Sequence, residues 1–306
     1  MGAREISLSP TANAIASYSR QADLKAVDSI LQAANAQAVT GFAGMPKSLV
    51  ETKVQDLSAA GRSALADLAR YVLPVSSLLE LASVARYRVH PRGTSTLIRR
   101  TSGHVLFLID GCALEETTDS QTVRLWRSGA VFGEQPIVHG FSPGSSRTNE
   151  TRYLNFLSES RCLLIPRDKL RTLALSDPMT MLMISRIGMD RTNVIERLYT
   201  VTRKAPVSRV ATLLDYLAGE TTVMRPKTVE NEEKQLVVKP MRNAIVEGPT
   251  QNDISEALTL GRATVERALG ELRREGALLR FRKGERTNRV YEIADRDLLQ
   301  QIARGG

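Results

Sequence analysis

Two cysteines, three histidines and one tryptophan are all that the 306 residues contain of those types. Cys112 and Cys162 alone build neither a disulfide framework nor a four-ligand metal or iron–sulfur cluster. His90, His104 and His139 are scattered, so no metal is expected. Long apolar runs are missing too: no stretch approaches the roughly 18 residues of a membrane span. The amino end, Met1-Gly2-Ala3-Arg4-Glu5, lacks the apolar core of a secretory signal. The expectation is a reduced, cytoplasmic protein with no membrane partner. No glycine-rich phosphate loop and no nucleophile–base–orienter set is present, so an enzyme is not expected. What is there is ordinary for a folded chain, 42% apolar and 25% charged, which excludes bulk disorder and fibrous repeats. Lys and Arg total 42 against 33 Asp and Glu, a net charge of +9, which permits an anionic partner without naming one.

Residues 1–55 are rich in Ala, Ser and Gln and read as a weakly amphipathic, mobile helical leader. Helical periodicity continues through Leu57, Leu65, Leu68, Leu78, Leu79 and Leu81. Between Arg86 and Ile165 the texture changes to short β-branched and apolar runs, such as Val105-Leu106-Phe107-Leu108-Ile109 and Cys162-Leu163-Leu164-Ile165. Turn residues separate them at Pro91-Arg92-Gly93, Asp110-Gly111 and Ser128-Gly129. Short strands at regular spacing with glycine turns imply an antiparallel sandwich or barrel. Helix returns from about Pro178 to Thr202, where Thr180, Ile184, Ile187, Arg191, Val194, Leu198 and Val201 alternate gaps of four and three. That is a heptad seam. It pairs with a second copy or packs onto its own domain, and the dimer is the favoured reading. Arg191 in such a seam needs a partner or an exit to solvent. Pro206 cannot continue the seam helix, which makes Val201–Pro206 a hinge. Residues 220–246 are polar and charged, with one strand expected near Gln235–Val238, and read as a wing-like insertion or hairpin.

The carboxy-terminal module is the most informative part of the chain. Thr250 caps a helix, with Asp253 placed to return the bond; Thr259-Leu260-Gly261 turns; a second helix runs Arg262–Glu275 and stops at Gly276. A charged loop and a strand over Arg289–Ile293 follow, giving a winged helix-turn-helix pattern. On the second helix Val265, Ala268, Leu269 and Leu272 point to the core, while Ala263, Glu266, Arg267, Gly270 and Arg274 lie opposite, with Arg262 at the amino end. Such a face enters the major groove, where arginine bonds the O6 and N7 edge of guanine. From Arg262 to Arg289 nine basic residues stand against four acidic ones, more than half of the whole chain's positive excess. Thr250, Gln251, Arg262, Ala263, Thr264, Glu266, Arg267, Arg282 and Lys283 are the candidate DNA contacts.

Thr250-Gln251-Asn252-Asp253-Ile254-Ser255, followed by Gly261-Arg262-Ala263-Thr264-Val265-Glu266-Arg267-Ala268-Leu269, resembles the DNA-binding domain of the cyclic-AMP receptor protein/FNR (Crp/Fnr) family of bacterial transcription regulators. Arg262, Thr264-Val265 and Arg267 match that pattern. The acidic residue usual between them is Ala263 here, so the resemblance does not extend to the family's usual operator. Upstream, Gly103–Gly111 and Gly129-Ala130-Val131-Phe132-Gly133-Glu134 are similar to the strand–turn and G-x-x-F-G-E elements of the family's cyclic-nucleotide-binding β-roll. The resemblance implies that Gly133 and Glu134 face the ribose of a cyclic nucleotide and that an Arg-Thr pair takes its phosphate. Arg147-Thr148 fits that pair but lies thirteen positions after Glu134, longer than the family's usual spacing. Counting back from Cys162–Ile165 places Glu150-Thr151 there instead, with Arg152 displaced. A cyclic nucleotide, another ligand or none is left open, since Phe132-Gly133-Glu134 also reads as an inherited turn.

The expected fold is thus α+β, an antiparallel β-roll joined by a long dimerisation helix to a winged helix-turn-helix domain. The expected divisions are a leader at 1–55, a β-roll with flanking helices at 56–176, the dimerisation helix at 177–203, with Ile184, Ile187, Arg191, Val194 and Leu198 as its seam, and the DNA-binding domain at 204–306. The expected function is a sequence-specific DNA-binding regulator with double-stranded DNA, a second copy of itself and RNA polymerase as partners. The alternative is a cyclic-nucleotide-binding signalling module whose winged helix is a protein interface. A steep salt dependence of DNA affinity separates the two.

Overall fold

Pro74 and Pro166 stand immediately before helices, and Pro178 and Pro206 begin them, as expected of a residue whose fixed φ suits a first helical turn and which has no N–H to leave unpaired there. The computed structural model describes residues 56–68, 71, 73–98, 103–118, 121–134, 137, 152–219, 223–230, 236–279 and 289–305. Helices Ala59–Leu68 (α1) and Val75–Val84 (α2) come first. The β region follows, with Arg86–His90 (β1), Ser95–Ile98 (β2), His104–Asp110 (β3), Cys112–Thr117 (β4), Thr122–Arg127 (β5), Val131–Phe132 (β6), Arg152–Phe156 (β7) and Ser160–Pro166 (β8). Arg167–Ser176 (α3) leads to the long helix Pro178–Ile195 (α4), which closes in a wider π-helical turn, Glu196–Thr200. The remainder is Pro206–Ala218 (α5), Val223–Glu230 (β9), Leu236–Glu247 (β10), Gln251–Leu258 (α6), Arg262–Arg274 (α7), Val290–Ile293 (β11) and Arg296–Arg304 (α8). The sheets take the orders β1-β8-β3-β6, β2-β7-β4-β5 and β11-β10-β9. The pairings β2–β7, β7–β4, β4–β5, β3–β6, β9–β10 and β10–β11 are antiparallel.

Contacts gather the described residues into two units. The first holds α1, α2, α3, the start of α4 to Arg186 and the ends of β3 and β8. Leu65, Leu68, Leu78, Leu81, Leu170 and Ile184 are buried in it. Asp177 precedes α4 and accepts from the Met179 and Thr180 amides at 3.1 and 3.2 Å. It also accepts from the Thr180 and Ser77 hydroxyls at 2.6 and 2.9 Å. These bonds satisfy amides that the first turn of a helix leaves open.

The second unit holds most of the β strands, the rest of α4 and everything after it. On β4, Ala113, Glu115 and Thr117 share one buried face, with Cys112 and Leu114 buried on the other, and Trp126, Leu154 and Phe156 are buried on the neighbouring β5 and β7. The turn at Asp110-Gly111 needs its glycine twice over. Gly111 has φ +104°, and a Cβ there would stand 2.2 Å from Ser160 Oγ. The Tyr199 hydroxyl donates to the Leu125 carbonyl (2.7 Å) and accepts from the Leu125 amide (2.9 Å), fixing the π turn to β5. In the carboxy-terminal part, Val210, Leu214, Val265, Leu269, Leu272 and Leu299 make the core. Asp215 accepts from Arg296 Nε (2.9 Å) and Gln300 Nε2 (3.2 Å), tying α8 to α5. The buried Arg209 donates to the Leu258 carbonyl at the end of α6.

Val223–Glu230 and Leu236–Glu247 pair antiparallel, as the hairpin alternative for this stretch expects, but with two strands where one was read, and β10 pairs β11 as well; Pro226, Lys227 and Glu230 hid β9, being poor strand formers. One favoured reading changes. The heptad stripe of α4 faces inward. Thr180, Ile184, Arg191 and Leu198 are buried within the chain, and Ile187 and Val194 are half-buried. An intrachain contact forms without the entropy lost when two molecules associate, so it claims the apolar stripe first. The large apolar side chains left exposed on α4 are Leu182 (59%) and Met189 (66%), two helical turns apart, with Met179 less so.

Candidate nucleic-acid interface and effector site

Helix α6 opens on a full capping box. Thr250 Oγ1 accepts from the Asp253 amide (3.1 Å), and Asp253 accepts from the Thr250 amide (2.6 Å). The turn after it is made possible by Thr259, whose φ of 52° lies in the left-handed region. Helix α7 then begins on Gly261, with no side-chain cap, and buries Val265, Ala268, Leu269 and Leu272. Arg262, Ala263, Glu266, Arg267, Gly270 and Arg274 are exposed, and Thr264 is half-buried. Arg262 Nε lies 3.2 Å from Glu266 Oε1, an exposed pair that water and salt weaken. Arg267 Nε lies 3.4 Å from the Ala263 carbonyl. Gln251 departs from the expected contact set, being 9% exposed. It lines a cavity of about 660 Å³ together with Arg92, Leu157, Arg262 and Arg289. Thr250 lines it too, but its hydroxyl is committed to the capping box. Arg282 and Lys283 lie outside the described residues.

The interior of the strands holds a charge cluster. Glu115 on β4 is 1% exposed. Its two carboxylate oxygens accept from Arg191 NH2 at 2.5 and 2.7 Å. Trp126 Nε1 donates to Oε2 at 2.9 Å, and Arg152 NH1 lies 3.4 Å from Oε1. Arg191, 8% exposed, also donates to the Val131 carbonyl (3.2 Å). Its guanidinium lies 4.5 Å from the Trp126 ring centre and 5.2 Å from that of Phe132. Burial alone would raise the Glu115 pKa, but Arg191 and Arg152, with the bonds from Arg191 and Trp126, hold it below the ordinary carboxylate value. Glu134 is 3% exposed and goes the other way. Burial raises its pKa, only partly offset by Arg191 and Arg152. Of the residues expected to hold an effector, the structure thus brings Glu134 and Arg152 into the surroundings of Arg191, with Gly133 in a left-handed turn at φ +86°. Arg147 and Thr148 lie outside the described residues. The thiols of Cys112 and Cys162 are buried and pushed up to about 12, which leaves them unreactive.

Among solved structures, a Ruegeria pomeroyi protein described as cyclic nucleotide binding superposes with a TM-score of 0.51, at 18% identity over 81% of this chain and 98% of that one. The chain shares that protein's mixed fold of helices and antiparallel sheets. Weaker likenesses at TM-scores of 0.49 and 0.47 are to FixK2 of Bradyrhizobium japonicum, at 18% identity over 71% of this chain and 96% of that one, and to a CRP/FNR-family transcriptional regulator of Thermus thermophilus, at 20% over 72% and 100%. No family model and no curated protein matches the chain. The residues of the charge cluster that sequence reasoning missed are Glu115 and Trp126. Period two places Glu115 with Ala113 and Thr117, but Cys112 and Leu114 on the other face of β4 are buried as well, so alternation alone did not single it out as the partner that the buried charge of Arg191 needs.

Proposed function

We propose that the chain is a sequence-specific DNA-binding transcription regulator that works as a homodimer, with α7 in the major groove. The observation that carries this reading is the two-sidedness of α7. One face is buried in a helix-turn-helix core, while the other presents Arg262 and Arg267 beside the small residues Ala263 and Gly270. Little bulk on that face leaves the arginines free to approach base edges. Arg92 and Arg289, which line one cavity with Arg262 and Glu247, add positive charge for backbone phosphates beside the start of α7. Two copies of α7 would read half-sites about 34 Å apart. Leu182 and Met189, rather than the inward stripe, are the side chains we assign to pairing. RNA polymerase is the further partner of such a regulator at a promoter.

The test begins with selection of bound duplexes from a randomised pool, followed by anisotropy titrations at several salt concentrations. Tight binding should fall steeply with salt, and sedimentation should give a dimer. Arg267→Ala should lose roughly 1–3 kcal/mol of discrimination at one base step in each half-site. Failure to enrich any sequence, or unchanged selectivity in the Arg267 variant, overturns the assignment of the reading face.

A further inference from the structure

We propose that the interior of the β-roll is a guanidinium-binding cage whose resident occupant is the chain's own Arg191. The lining suits that group and little else. Glu115 offers both carboxylate oxygens to one guanidinium nitrogen, Val131 offers a carbonyl, and the Trp126 and Phe132 rings lie within cation–π range. Trp126 and Arg152 occupy the remaining directions around the carboxylate, so no oxygen is left for another donor. A planar, delocalised cation matches a carboxylate and an aromatic face at once, whereas a lysine ammonium is a compact point charge.

The occupant is tethered, so its local concentration lies in the range that short linkers give, and any free ligand must compete with it. Glu134, the position that the family resemblance gives to an effector, lies in the field of this same guanidinium. The consequence rests on the regulator reading. The second half of α4 is held on the strands without any outside effector, so DNA binding by α7 needs none, and control would act by drawing Arg191 out.

The decisive experiment creates the cage empty and offers it the free ion. Arg191→Ala is made in the full chain and titrated with millimolar guanidinium chloride, with urea as the uncharged planar control. The readouts are the thermal midpoint and the emission of Trp126, the chain's single tryptophan. Guanidinium is expected to raise the variant's midpoint and return its emission toward wild type, saturably. Urea should do neither, the wild type should respond to neither, and adding Glu115→Gln should abolish the rescue. A response that does not saturate, that urea matches or that survives the Glu115 change overturns the proposal. Arg191→Lys covers the case in which the alanine variant does not fold. Charge without the planar fork should leave its midpoint clearly below wild type and its emission shifted, and a lysine variant indistinguishable from wild type overturns the cage. No step involves DNA, so failure here is distinct from failure of the regulator reading.

Discussion

Removing Glu115 should strand a cation. In a Glu115→Ala variant, Arg191 loses bonds of 2.5 and 2.7 Å and the Trp126 indole loses its acceptor at 2.9 Å. Arg191 is only 8% exposed and cannot turn to water without dragging its helix. Arg152, at 20% exposed, can, and adds little. Breaking one side of a buried pair costs about 3–5 kcal/mol because the survivor is left charged and unpaired. At about 2–4 °C per kcal/mol for a unit of this size, that is a fall of roughly 6–20 °C in the melting midpoint. Urea denaturation followed by circular dichroism should show the loss as a lower midpoint with an unchanged slope. Replacing both partners with methionine should recover most of it, since an apolar pair of similar volume carries no desolvation penalty. A loss under about 1 kcal/mol in the single variant would mean that water reaches Arg191, and the account of a dry, paired interior would be wrong.

Glu134 gives an opposite pH signature. Its folded carboxyl holds a proton more tightly than the unfolded one, so its contribution to stability is complete below the unfolded value of about 4.3 and fades as pH rises through the folded value. Glu134→Gln should flatten that decline in urea midpoints measured upward from about pH 4, and a variant that tracks the wild type would place the carboxyl in water. Gly111→Ala should destabilise strongly, because the new methyl meets Ser160 Oγ at 2.2 Å and Ser160 Cα at 2.8 Å on a backbone with φ +104°. Adding Ser160→Ala should restore only part of the melting temperature, since the backbone strain persists.

Helices α6 and α7 were legible to within a residue, because capping, turn and amphipathic signals there are local and agree, whereas helix α8 (Arg296–Arg304) was not read at all. Thr250, Gly261 and Gly276 mark ends that the structure places at Thr250, Gly261 and Glu275. The antiparallel strands could be read from glycine turns and short apolar runs for the same reason. The orientation of α4 could not. Periodicity shows that Ile184, Arg191 and Leu198 share a face, but a heptad pattern is the same whether its stripe meets a twin or the chain's own strands. The burial of Gln251 was hidden likewise, since it lies beside a cavity whose other walls include Arg92 and Leu157, roughly a hundred or more residues away in sequence. The β-roll cluster was half visible, with Arg191 flagged as a buried charge needing a partner and its acceptor left unassigned until β4 and α4 were brought together.

The π turn at Glu196–Thr200 makes chain length, not only residue identity, a determinant of this region. A regular helix advances by about 100° per residue, so deleting one residue between Ile195 and Thr200 would swing the Tyr199 ring away from β5. Both of its bonds to Leu125 would then go. Close homologues should therefore keep the count of residues in this turn even where they change the side chains, and a shortened relative should have replaced the phenol.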